Sequence, residues 1–195
     1  METRSFQLAD LRADDGDDSR RVRGTAIVYG QDADLKVFRE RIQPGALRSV
    51  LASGRNMRLL FEHDRRGLLA STEAGSLRVF DTPAGLTFEA RIAATTTGND
   101  VLTLVRGGEL RGMSFGFNVA RGGQAFTREA GKLLRTITEF AEVPEITITS
   151  APAYDTTNVA QRSIDPQAIA EAERMLGRPS LQDRRRQLRA AQAAA

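Results

Sequence analysis

Gly112-Met113-Ser114-Phe115-Gly116-Phe117-Asn118-Val119-Ala120 alternates along its whole length. Phe115, Phe117 and Val119 share one side of an extended chain, and Ser114, Gly116 and Asn118 share the other. That period is the period of a strand. The Ser114 hydroxyl therefore points away from the aromatic face.

The segments on either side read mostly as further strands. Residues 4–9, 21–29, 37–42, 57–61, 76–80, 86–92, 133–140 and 145–150 carry β-branched, aromatic or alternating residues. Asp81-Thr82-Pro83-Ala84-Gly85 separates two of them as a hairpin connection does. Pro44-Gly45-Ala46-Leu47 opens a short helix with Leu47, Val50 and Leu51 on one face and Gly54 as its stop. Thr97 to Arg106 reads as a second helix, stopped by Gly107-Gly108. Strands follow strands more often than helices, which argues against a parallel, doubly wound sheet. The expected fold is α+β: a mostly antiparallel, barrel-like sheet flanked by short helices.

After Ile164 the texture changes to helix formers. Asp165 with Pro166 can open one helix, and Ser180 can cap another beginning at Leu181. The chain is thus divided into a domain over residues 1–160 and a basic, helical or disordered C-terminal tail over 161–195. Charge follows the same division. Residues 1–161 hold 21 basic and 21 acidic side chains, while the tail after 161 holds seven arginines against four acids, which is the whole net charge of +3. A solvated arginine-rich helix explains this better than a nucleic-acid site, since aromatics are few and Trp is absent. Nucleic acid is not an expected partner. No apolar run reaches the roughly 18 residues of a membrane helix, and Met1 to Phe6 lacks a signal peptide's apolar core. A cytoplasmic location without a membrane is expected.

The chain has no cysteine and one histidine, His63. Disulfides, thiolate metal sites and cysteine nucleophiles are excluded together, and a histidine-based zinc site has too few ligands. Hydroxyl chemistry at neutral pH then has one available imidazole. Gly112-Met113-Ser114-Phe115-Gly116 matches Gly-x-Ser-x-Gly, the nucleophile elbow of α/β-hydrolases. That motif needs a helix after the serine and a histidine later in the chain. Here a strand follows, and the histidine comes first.

Six segments, in order over roughly residues 4–160, resemble the prohead (capsid-maturation) serine proteases of tailed bacteriophages, distant relatives of the herpesvirus assembly proteases. They are Gly24-Thr25-Ala26-Ile27-Val28-Tyr29, the run from Arg39 to Leu47, Leu60-Phe61-Glu62-His63-Asp64, Gly85 to Ala90, Gly108 to Phe117, and Glu145 to Ala153. Leu47 stands where the family has an aromatic, and Thr147 where serine is usual.

The resemblance implies a herpesvirus-protease-like fold, with His63 as general base and Ser114 as nucleophile. The herpesvirus relatives use a second histidine as third member, and this chain has none. An acid or water must orient His63. Glu145 is the expected orienter because it lies in the matching closing segment, and Asp64 stays open as an alternative. The same resemblance implies a serine endopeptidase, working without metal or cofactor, inside the immature capsid in the host cytoplasm. Its expected partners are the major capsid protein with its scaffold segment, its own chain by self-cleavage, and a second copy as a homodimer. The alternative is a catalytically inactive capsid-assembly or scaffolding protein of the same fold.

Overall fold

The computed structural model describes residues 1–7, 10–16, 19–35, 37–150 and 166–177. In chain order its elements begin with β1 (Glu2–Gln7), β2 (Arg12–Ala13), β3 (Arg21–Val28), β4 (Asp32–Asp34) and β5 (Arg39–Ile42). Helix α1 (Arg48–Ala52) leads to β6 (Arg58–Phe61), β7 (Asp64–Ser71), β8 (Leu77–Thr82) and β9 (Gly85–Arg91). Helix α2 (Thr96–Gly107) precedes β10 (Gly112–Val119), β11 (Gln124–Glu129), β12 (Lys132–Ile137) and β13 (Phe140–Thr149). Helix α3 (Pro166–Gly177) ends the described part.

The strands form three sheets, ordered β1-β10-β13-β6-β7, β11-β12-β5-β4 and β2-β3-β9-β8. Most pairings are antiparallel, while β13–β6 and β12–β5 are parallel. The expected barrel-like closure is not observed. Each sheet is open, because a barrel needs a continuous stagger of paired strands. Here the ladders are broken by register shifts at Thr25/Ile27, Leu60/Phe61 and Gly116/Asn118, and β2, β4 and β5 are only two to four residues long.

The aromatic face read from sequence is the core. Phe115, Phe117 and Phe140 are fully buried, their ring centroids 5.1 to 6.2 Å apart in stacked and edge-on contacts. Such pairs add about 0.5–1.5 kcal/mol each beyond the area they bury. Helix α1 packs against β13, and α2 lies over β2 and β7. Helix α2 starts where Thr95 accepts a hydrogen bond from the Gly98 N–H, and it ends at Gly108 in the left-handed region (φ 79°). Helix α1 begins at Arg48 rather than at Pro44. Gly45 has φ 86°, so residues 44–47 form a turn before the helix starts.

The strands expected over 133–140 and 145–150 are β12 and β13, but β13 begins at Phe140 instead of Glu145 and runs unbroken through Pro144. Pro144 has no N–H to donate, and the β10–β13 ladder skips a step between Gly116↔Glu145 and Asn118↔Glu142. The proline is accommodated at that irregularity, directly before Glu145. A second, small apolar cluster joins Leu35, Phe38 and Leu133 to Ala172 of α3, with Phe126 and Ile169 at its edge. The expected Asp165 and Ser180 caps and the closing Ala151 to Tyr154 lie outside the described residues.

Candidate active site

Ser114 is the third residue of β10, its neighbours set by the ladders on both sides. It faces Ser5 of β1 and Thr147 of β13. No helix follows it, as the elbow of an α/β-hydrolase would require. Glu145 lies two residues before Thr147 on the same face of β13, opposite Gly116. The glycine has a specific reason. A Cβ at position 116 would sit 3.0 Å from a Glu145 carboxylate oxygen, so the missing side chain is what lets that carboxylate lie across β10.

His63 arrives from the far side of β13. Phe61 pairs with Asp64, leaving Glu62 and His63 as a two-residue loop between β6 and β7. Both have positive φ, 51° and 59°. A tight hairpin loop whose twist matches its strands requires this, and glycine or asparagine is the usual occupant. Two bulkier residues held there store strain, on the order of 1–3 kcal/mol each. The surroundings hold the loop in place. The Glu62 N–H donates to the Ile148 carbonyl (3.0 Å), while its carboxylate accepts from the Thr149 hydroxyl (2.8 Å) and the Ser150 N–H (2.6 Å). Burial pushes the Glu62 carboxyl up, but the hydrogen bonds from Ser150 and Thr149 and the nearby His63 outweigh it and hold it below the ordinary carboxylate range.

The result is a line of three side chains over one sheet face. His63 Nε2 is 2.7 Å from Ser114 Oγ, and His63 Nδ1 is 2.6 Å from Glu145 Oε1. Thr147 Oγ1 stands 3.4 Å from Nδ1. The structure thus brings together His63, Ser114 and Glu145, the three residues singled out from sequence. Asp64, the alternative, accepts from the Arg66 N–H (2.8 Å), while the His63 ring nitrogens meet Glu145, Ser114 and Thr147. Among the described residues no group of three or more His, Asp or Glu side chains is arranged to hold a metal ion.

Sequence reading missed the cover over Ser114. Ser5 Oγ donates to Ser114 Oγ (2.8 Å), and Ser114 Oγ donates to the Arg4 carbonyl (2.9 Å). Ser114 is 0% exposed as a result, although the His63 side chain keeps 32% of its surface. Beside this lies a buried charge cluster. Arg4 pairs with Glu40 through two bonds (2.6 and 2.8 Å), and Arg135 bridges Glu40 (2.7 Å) and Glu2 (2.6 and 2.8 Å). Burial works against the Arg135 charge, but Glu2 and Glu40 outweigh it and raise its pKa. The only sequence signal for this cluster was Glu40 sharing a strand face with Phe38 and Ile42.

No curated protein matches the chain, and no solved structure does. A family model described as caudovirus prohead serine protease matches residues 7–170, a span that holds all three aligned side chains. With most of its length inside that match, the chain belongs to the caudovirus prohead serine protease family.

Proposed function

We propose that this chain is a serine endopeptidase that cleaves the scaffold portion of the major capsid protein, and then itself, inside the immature capsid. Family membership supports a capsid-maturation protease. The observation that carries the residue roles is His63 held between Ser114 Oγ at 2.7 Å and Glu145 Oε1 at 2.6 Å. In this reading Ser114 is the nucleophile. His63 Nε2 takes its proton as Oγ bonds to the substrate carbonyl carbon. Glu145 holds the ring through Nδ1 and stabilises the imidazolium. The peptide C–N bond then breaks, and His63 returns the proton to the leaving amine. Water, deprotonated by the same imidazole, releases the acyl group and regenerates Ser114.

The distant kinship with herpesvirus assembly proteases and a homodimeric state belong to the same reading. So does the division at residue 160, with residues 161–195 as the segment removed by self-cleavage. Intact-mass measurement over time checks the last point: the tail leaves the wild type and stays on Ser114→Ala. The central test is co-expression with the neighbouring capsid protein. Ser114→Ala and His63→Ala each abolish processing, by about 10⁴-fold or more if the two act as a unit. Normal processing by Ser114→Ala would refute the assignment. An inactive assembly protein would process nothing even as wild type.

A further inference from the structure

Ser114 is the candidate nucleophile, yet no solvent reaches it. The cover is β1, an edge strand that pairs antiparallel with β10 with Ser5 directly opposite Ser114. It does more than block the way. Ser114 has one hydroxyl proton, and both the Arg4 carbonyl at 2.9 Å and His63 Nε2 at 2.7 Å face its oxygen. When the proton points to Arg4, the imidazole has nothing to accept. The family match begins at residue 7, the last residue of β1. The matched region therefore contains β10, β13 and the His63 loop without most of the strand that covers them.

We propose that the β10 edge beneath β1 is the binding site for substrate, taken up as an extended strand, and that β1 is an internal occupant that must leave first. The proposal rests on reading Ser114 as the nucleophile. An exposed strand edge offers unpaired N–H and C=O groups, and a polypeptide segment can satisfy them by adding a strand. The side chains of β1 indicate what the segment carries. Arg4 reaches Glu40 and Glu2 reaches Arg135, so a segment with an acidic and a basic residue two positions apart restores both ion pairs. A segment without them leaves Glu40 and Arg135 partly unpaired, and β1 then competes more strongly. Access is governed by the open fraction of β1, and apparent affinity for substrate is reduced by that same fraction.

The test uses the absence of cysteine in the chain. Ser114→Cys places a single thiol under β1, and its reaction with a maleimide reports access to the position without any catalysis. Arg4→Ala removes the pair with Glu40, and Ser5→Ala removes a hydrogen bond without unbalancing the charge cluster. The expected result is slow labelling in the Ser114→Cys chain, accelerated by about tenfold or more when Arg4→Ala is added and by less with Ser5→Ala. A synthetic peptide with the sequence of residues 2–7 slows the accelerated reaction again, and a scrambled peptide does not. Three outcomes overturn the proposal: equal labelling with and without the loosening substitutions, labelling that occurs only with global unfolding in denaturant, or no protection by the peptide. A Ser114→Ala chain that still processes capsid protein would instead overturn the catalytic reading, so the two failures are distinguishable.

Discussion

Arg4 and Ser5 are neighbours on β1, and they join different buried polar clusters on its two faces. Arg4 enters a set of four permanent charges, with Glu2, Glu40 and Arg135. Both carboxylates there are bound by both guanidiniums, and the set is electrically neutral. Ser5 enters the line of Ser114, His63 and Glu145, where one hydroxyl proton has two acceptors facing it and the histidine backbone is left-handed. Burying charge for structure requires saturation, since an unpaired buried ion is heavily penalised. Burying polar groups for chemistry requires that one proton stay unsettled between partners. The two clusters lie one residue apart on the same strand, and under the proposed catalytic reading each meets one of these conditions.

Mutations separate them by which property moves. The largest expected effect is on the reactive line: Glu145→Gln lowers the cleavage rate by on the order of 10³-fold, less than loss of Ser114, while the melting temperature barely changes. A variant that loses stability and activity together would place Glu145 with the structural charges instead. Next comes Arg135→Met, which leaves Glu40 and Glu2 to share the one Arg4 guanidinium with a net buried negative charge, and lowers unfolding free energy by about 3–5 kcal/mol in urea titration. Adding Glu40→Leu recovers part of that loss, because the Arg4–Glu2 pair (2.9 Å) remains and is balanced. If the double variant is no more stable than the single one, the neutral-cluster account fails.

A smaller effect is expected from Gly116→Ala, whose methyl group displaces the Glu145 carboxylate from 3.0 Å away. Cleavage falls by roughly 10- to 100-fold through misplacement of the orienting group, with far-ultraviolet circular dichroism unchanged. Wild-type rates in this variant would show that the carboxylate does not need its place over β10. The smallest effect belongs to Glu62. Its folded carboxyl lies below its ordinary range, so its contribution to stability is present above that range and is lost as pH falls through the folded value. Glu62→Gln flattens this acid limb of the stability profile, measured by thermal melts across pH. An unchanged acid limb would mean that the Ser150 and Thr149 bonds do not anchor the His63 loop.

The parts legible in the sequence were those whose cause is local. Strand β10 announces itself by alternation, the β8–β9 hairpin by Pro83 and Gly85, and α2 by its apolar face with glycines after it. His63 was legible by elimination, being the only imidazole. Strands β7 and β11 were not read, since Asp64-Arg65-Arg66-Gly67 and the polar run from Gln124 to Glu129 lack a clean apolar period. Strand β7 is explained by its irregular pairing with β6: Gly67 packs against the Phe61 backbone where a Cβ would come within 3.1 Å of a carbonyl oxygen.

The amino-acid sequence by itself determined which groups were available, a single imidazole, a serine on a strand and no thiol, because composition needs no partner. It also determined where most strands run, because alternation is written residue by residue. Tertiary structure alone decided that the sheets stay open, that Glu40 and Arg135 are buried as partners, and that β1 lies across Ser114. Each of these depends on pairing between segments up to about 130 positions apart, such as Arg135 with Glu2. No local period records which distant strand will lie alongside, so that choice is made only when the chain packs.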